Sequence, residues 1–165
     1  MILGKGDIAG VLIDNEDLLF FASGVSNSRC EDKLEYKREV DMLSKLPVTK
    51  RIVYFSSLSI FDKNTRYTRH KIRMEGLVKK WFPLYCIIRI GNITWGNNPN
   101  TFLNFIRAKM EAGEPFEVRD EMKYMVEKDE FLFWIAKIPN FNCEINIPGQ
   151  TLSVQQAINK YILSK

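Results

Sequence analysis

Short apolar runs alternate with longer amphipathic stretches along this chain, and that alternation restricts the possible folds more than any other feature of the sequence. Runs too short for helices and rich in branched or aromatic residues read as strands: Met1-Ile2-Leu3, Leu18 to Ala22, Arg51 to Phe55, Tyr85 to Arg89 and Glu144 to Ile147. Between the second and third runs, Glu31 to Leu46 places Leu34, Val40, Met42, Leu43 and Leu46 near one helical face. Tyr67 to Phe82 repeats the pattern with Ile72, Leu77, Val78 and Trp81, and Pro83 stops it. Strand and helix in alternation predict an α/β domain built on a mainly parallel sheet. Further helices are expected at Asn100 to Ala112, closed by Gly113, at Lys128 to Ala136, and at Ser153 to Leu163 with Ser153 as N-cap. No internal repeat or low-complexity linker divides the 165 residues, so one domain is expected over residues 1–165.

Composition narrows the function classes. Lys and Arg number 24 against 20 Asp and Glu, a net charge of +4 that suits a phosphate-bearing ligand but is too small to imply nucleic acid. Cys30, Cys86 and Cys143 are odd in number and widely separated, which fits neither a disulfide framework nor a paired-thiol zinc site and points to a reducing, cytoplasmic setting. No apolar run approaches membrane-spanning length and the start lacks the pattern of a secretory signal, so no membrane partner is expected. His70, the only histidine, has no companion ligands at metal spacing and is expected on an exposed helix surface, with most of Arg66, Arg69, Lys71 and Arg73 solvated around it; no metal is expected. Asp129 and Glu130, being adjacent, diverge on a helix, and Asp129 is expected to cap or brace it.

Two constellations carry chemistry. Gly4-x-Gly6-x-x-Ala9 follows an apolar tripeptide and leads into Ile8, Val11 and Leu12, the placement of a turn where backbone N–H groups meet a pyrophosphate at a helix start. Lys5 adds a cation there. The acid that commonly holds an adenosine ribose about twenty residues further on is missing, and Phe21-Ala22-Ser23-Gly24 stands in its region. The second constellation begins with Ile52-Val53-Tyr54-Phe55-Ser56-Ser57, a strand running into hydroxyls, and continues with Tyr67-Thr68-Arg69-His70-Lys71. Tyr67 and Lys71 are four apart and share one helical face, so the ammonium is expected beside the phenol, where it would favour the ionised form. A phenol tuned in this way exchanges a proton with a substrate oxygen, and Ser57 is within reach of the same oxygen.

In this order of parts the sequence resembles the short-chain dehydrogenase/reductase superfamily, in its extended branch of NAD-dependent epimerases and dehydratases that act largely on nucleotide-sugars. Phe21-Ala22-Ser23-Gly24-Val25-Ser26 looks like the family's fourth-strand segment beside the cofactor, and Tyr54 to Phe61 like its serine-bearing strand. Tyr67 and Lys71 fall on the family's Tyr-x-x-x-Lys motif, and Arg89-Ile90-Gly91-Asn92-Ile93-Thr94-Trp95-Gly96 is similar to its Arg-Pro-Gly-Asn-x-Tyr-Gly segment. Met125 to Glu130 and Asn146 to Gly149 resemble two later signatures. The resemblance implies catalysis by Ser57, with Ser56 as the fallback, together with Tyr67 and Lys71. It implies cofactor contacts from Gly4, Lys5, Gly6, Asp7 and Ile8 in the turn, from Ala22, Ser23 and Gly24, from Phe55 and Ser56, from Tyr67 and Lys71, and from Ile90 and Asn92. It also implies a homodimer through the helices at Glu31 to Leu46 and Tyr67 to Phe82.

Three departures accompany the likeness. Between Ala9 and Leu18 there is no room for a second and third strand with their helices, so a truncated Rossmann-type, doubly wound sheet without its adenosine side is expected. Ser57 and Tyr67 are only ten positions apart, and Ile90 replaces the family's proline. The sequence therefore reads as an NAD(P)-dependent oxidoreductase or epimerase/dehydratase-like enzyme acting on a small polar substrate, with nucleotide-sugars as one candidate class. NADP is favoured over NAD, because no acid repels a 2′-phosphate. The alternative reading is a non-catalytic dinucleotide-binding sensor or interaction module.

Overall fold

The computed structural model describes residues 1–164. Its centre is a parallel sheet of five strands, β1 (Ile2–Leu3), β2 (Leu18–Phe21), β3 (Arg51–Ser57), β4 (Tyr85–Ile90) and β7 (Cys143–Ile147), hydrogen-bonded in the order β1-β2-β3-β4-β7. Arg51-Ile-Val-Tyr-Phe-Ser-Ser is buried on both faces from Arg51 to Ser56, which is why this strand reads as an unbroken apolar run rather than an alternating one. β4 is buried in the same way from Cys86 to Ile90. Arg89, the one charged residue of that stretch, donates to both carboxylate oxygens of Glu75, at 2.9 and 2.5 Å, and to the partly exposed Glu144 at 2.5 Å, so its charge is paired where it is largely buried.

The helices α1 (Lys33–Ser44) and α2 (Arg66–Trp81) cover one face of the sheet. Leu43, Met74, Val78 and Phe82 pack there on Leu19, Phe21, Ile52, Tyr54 and Ile87, and each such side chain contributes about 1.5–3 kcal/mol by leaving water. The opposite face carries Phe20, Val53, Phe55, Ile88, Ile90 and Ile147, covered by Leu12 and by Phe131 from α4 (Lys128–Ala136). Local chemistry sets the helix starts. The Asp32 carboxylate accepts from Leu34 N at α1, and Thr65 and Thr68 exchange side-chain-to-backbone hydrogen bonds at α2. Asp129 lies in the first turn of α4, whose N-cap position is taken by Glu127.

A second, smaller sheet is absent from the sequence expectations. Its strands are β5 (Asn92–Ile93), β6 (Met122–Val126) and β8 (Gln150–Ser153); β5 runs parallel to β6, and β8 antiparallel to it. Two residues of β5 and the polar Gln150-Thr-Leu-Ser of β8 show no strand periodicity by themselves, so pairing alone makes them strands. α3 (Phe102–Glu111) and α5 (Val154–Ile158) pack on this sheet through Leu103, Met125, Leu152 and Ala157. The last helix, expected to run regularly from Ser153 to Leu163, widens to π-type turns from Asn159.

The expected omission of two strands is observed. Leu12 to Asp17 contains no strand, and β1 pairs directly with β2, Ile2 opposite Phe20 and Leu3 opposite Phe21. β1 is thereby an edge strand, and the helix after the glycine turn shrinks to one 3-10 turn, Ala9–Val11.

Candidate active site

All five strands of the main sheet run in the same direction, so the segments leaving their carboxyl ends gather at one edge. There they enclose a cavity of about 350 Å³. Its walls are Lys5 to Ile8 after β1, Phe21 to Ser26 after β2, Phe55 to Ser57 at the end of β3, Tyr67 and Lys71 on α2, and Ile90, Gly91 and Ile93 after β4. Of the residues expected to touch a cofactor or substrate, Gly4 and Asn92 do not line this cavity. Gly4 has φ +143°, and a Cβ there would stand 2.4 Å from the Ala22 carbonyl oxygen, so the glycine lets the turn pass close to β2. Asn92 donates to the Tyr124 carbonyl at 3.1 Å and faces a neighbouring groove. That groove, about 810 Å³, joins the cavity at Ser57, Tyr67 and Ile93 and carries the cations Arg29, Lys63, Arg119 and Lys123 among Phe102, Phe105 and Tyr124.

The hydroxyls at the end of β3 differ in their surroundings. Ser57 Oγ accepts from Ser59 N at 3.2 Å and lies 2.8 Å from Ser59 Oγ, capping the 3-10 turn Leu58–Ile60 while remaining half-exposed. Ser56 Oγ is buried and has no hydrogen-bond partner among the described residues. Buried hydroxyls are rarely left unpaired, so an orphan in a cavity wall marks a place where a ligand's polar atom fits.

Lys71 lies beside the Tyr67 ring, as their spacing predicts, but its hydrogen bonds go elsewhere. Its side chain is buried, its Nζ is 5.8 Å from the centre of the Tyr67 ring, and it donates to Glu39 Oε1 at 3.1 Å and to the Tyr54 hydroxyl at 3.2 Å. Glu39, fully buried on α1, also accepts from Tyr54 OH at 2.8 Å and from Val25 N at 2.8 Å, and lies 3.0 Å from His70 Nε2. Burial pushes the Glu39 carboxyl up, but the Lys71 charge and the bonds from His70 and Val25 outweigh it and hold the group well below the usual carboxylate range. Burial likewise lowers the Lys71 ammonium, and the Glu39 charge more than reverses that, so it stays above the ordinary lysine value. Tyr54 is driven well above the ordinary phenol range by burial and then by the Glu39 charge. His70 is thus a buried residue packed on Tyr36, with ring centres 4.7 Å apart, and not the exposed helix residue its neighbours in sequence suggested. Glu39 escaped the sequence reading because Lys37, Arg38 and Asp41 around it look like a solvated face.

The glycine turn is engaged by the protein itself. The Asp7 carboxylate accepts from the backbone N–H groups of Asn97 and Asn98, at 3.0 and 3.1 Å, and Trp95 Nε1 donates to the Asp7 carbonyl at 3.1 Å. Gly96, at φ +89°, makes this clasp possible, since a Cβ there would lie 2.0 Å from Asp7 Cγ. A nicotinamide-ribose moiety fits the cavity by the orphan Ser56 hydroxyl and the open space around Gly6, where a Cβ would meet nothing within 4 Å. The adenosine end of a dinucleotide does not fit. No strand lies beyond β1, and one 3-10 turn replaces the helix whose amides would face a pyrophosphate. Among the described residues, no group of three His, Cys, Asp or Glu side chains is placed to hold a metal ion.

No protein-family model and no curated protein matches the sequence. Solved structures do resemble the fold. The enzyme WbmG of Bordetella bronchiseptica, in complex with NAD and UDP, superposes with a TM-score of 0.65 at 13% identity, over 90% of this chain and 56% of that one. UDP-glucuronic acid 4-epimerase from Bacillus cereus gives 0.63 at 14%, over 90% and 60%. The dTDP-glucose 4,6-dehydratase of Bacillus anthracis, in complex with NAD, gives 0.66 at 11%, over 89% and 56%. The chain spans little more than half the length of these structures. With its parallel sheet and its gathered strand ends, it has a truncated form of the Rossmann-type fold seen in these structures.

Proposed function

We propose that this chain is a compact nicotinamide-nucleotide-binding enzyme of the epimerase/dehydratase type, acting on a small polar substrate that enters through the cationic groove. The observation that carries this reading is the convergence of Ser57, Tyr67 and Lys71 on one cavity with the segments after β1, β2 and β4. When bound there, a nicotinamide supplies hydride acceptance and donation. Tyr67, at the junction of cavity and groove, is the group that exchanges a proton with the substrate oxygen, and Ser57 orients that oxygen by hydrogen bonding. Lys71 supports Tyr67 from beneath as a fixed charge rather than as a direct hydrogen-bond partner. Phe21, Phe55 and Ile90 in the cavity wall limit water.

NADP is proposed to be accepted at least as well as NAD, since the segment after β2 carries no acid to repel a 2′-phosphate and the adenosine end has no strand beyond β1 to read it. The working form is proposed to be a homodimer through α1 and α2, where Leu34 and Ile72 are exposed. A panel of nucleotide-sugars and small ketones, with nicotinamide absorbance as readout, tests the reading. Turnover that falls in Tyr67→Phe supports it. A chain that binds nicotinamide nucleotide but turns over nothing on the panel favours the second reading, a non-catalytic binding module, for which the capture of the Lys71 ammonium by Glu39 is the specific argument.

A further inference from the structure

We infer that the cavity takes a nicotinamide nucleotide that ends at its first phosphate, a mononucleotide, and that the adenosine half of a dinucleotide gains no contact with this chain. The inference rests on the reading of the cavity as a nicotinamide-nucleotide site. Four observations converge on it.

First, the cavity is small. Its volume of about 350 Å³ stands near the bottom of the roughly 300–1,000 Å³ range of small-molecule sites, the size for one nucleotide rather than two joined end to end. Second, the sheet has no reversal of strand order on the β1 side. In doubly wound sheets the second nucleotide lies across the crevice where the order reverses, and here β1 is the edge, followed in space by β2, β3 and β4 in chain order. Between β1 and β2 the chain has one 3-10 turn and no strand.

Third, the turn that would receive the second phosphate holds a fixed negative charge. The Asp7 carboxylate is tied to the amides of Asn97 and Asn98, and Gly96 is pressed against it, so it cannot swing aside without opening the clasp. A pyrophosphate crossing this turn would bring like charges together in a partly buried setting, where repulsion is less screened than in water. Fourth, the cavity wall does carry cations for one phosphate. Lys5 is exposed beside Gly6, and Arg38 reaches from α1 to the Ser23 carbonyl while lining the same cavity. The cavity wall therefore carries Lys5 and Arg38, the latter also paired with Glu35 at 3.0 Å, alongside the Asp7 carboxylate.

Calorimetric titration of the full chain with nicotinamide mononucleotide, NAD⁺, NADP⁺ and ADP-ribose tests the inference. The expected result is that the mononucleotide binds at least as tightly as NAD⁺ and NADP⁺, that the two dinucleotides lie within about threefold of each other, and that ADP-ribose displaces none of them. Lys5→Ala, an exposed substitution, is expected to weaken the mononucleotide by about fivefold and leave nicotinamide riboside, which lacks the phosphate, unchanged. A dinucleotide that binds tenfold or more tightly than the mononucleotide, or competition by ADP-ribose, overturns the inference while leaving the functional reading intact. If neither the mononucleotide nor the dinucleotides bind at millimolar concentration, the reading of the cavity fails and takes the inference with it.

Discussion

At the scale of single residues, the chemistry turns on how Tyr67 and Lys71 divide their work. Tyr67→Phe keeps the ring and removes the hydroxyl, so nicotinamide-nucleotide affinity should change little, while turnover falls by about a hundredfold or more, as on loss of a general acid-base group. Full activity of that variant on a substrate that the wild type converts would refute the assignment of Tyr67. Lys71→Met should damage the fold before it damages the chemistry, because it strands Glu39 as a buried, unpaired charge. Breaking such a pair from either side costs about 3–5 kcal/mol, and Glu39→Ala should lose stability on the same scale in a urea titration. The pair also sets a pH window. The Glu39 pKa is depressed on folding, so its contribution is present above the ordinary carboxylate value of about 4.3 and is lost as pH falls below it. The Lys71 pKa is raised, so its contribution is complete below the ordinary lysine value of about 10.4 and is lost as pH rises through the higher folded value. Unfolding free energy measured from pH 3 to 7 should therefore rise, and Glu39→Gln should flatten that rise; an unchanged slope would show that other carboxylates cause it.

At the scale of elements, α2 carries both the site and much of the packing. It is capped at Thr65, presents Met74 and Val78 to the sheet, and ends before Pro83. Gly76 stands in its interior, exposed, with nothing within 4 Å of where a Cβ would go. Glycine there leaves the unfolded chain needlessly free, so Gly76→Ala should stabilise the protein by about 0.5–1 kcal/mol, seen as a higher urea midpoint at constant slope. A lower midpoint would mean that the bare surface at Gly76 serves a contact in solution. The small sheet teaches a complementary lesson. β5 exists because Asn92 and Ile93 pair with Met125 and Val126, and its position aims the following segment, Trp95 to Asn98, at Asp7. A two-residue strand thereby closes one side of the cavity.

At the scale of the whole molecule, the exposed apolar groups of α1 and α2 bear on assembly. Leu34 is 73% exposed and Ile72 is 52% exposed, whereas Leu43, expected to contribute to the same surface, is 1% exposed and belongs to the chain's own core. The proposed dimer thus has a smaller apolar surface than the apolar face read from the sequence of α1 suggests. Light scattering at high micromolar concentration should give twice the chain mass, and Leu34→Asp should return it to the monomer by burying an unpaired charge at the contact. A wild-type monomer under those conditions would remove the helix pairing from the proposal.

Much of this was readable from the residue order alone. Short apolar runs located the five strands of the main sheet, and helical periodicity with capping residues located the five helices, because buried strands and helix faces must be apolar where they meet the core. The lack of room between Ala9 and Leu18 was enough to foresee a sheet without its second and third strands, since no crossover helix fits in eight residues. Ser57, Tyr67 and Lys71 were legible as a set because strand ends and the first turn of the next helix converge in any parallel sheet. What only the tertiary structure decided was how the charges pair. Glu39, 32 positions from Lys71, pairs with the ammonium that local spacing set beside Tyr67, and Asp7 meets Asn97 and Asn98 some ninety positions away. Helical and strand periods predict which face a side chain leaves from. They carry no information about which distant carboxylate waits there, and in a buried, weakly screened interior that partner determines what a lysine or a glycine turn can do.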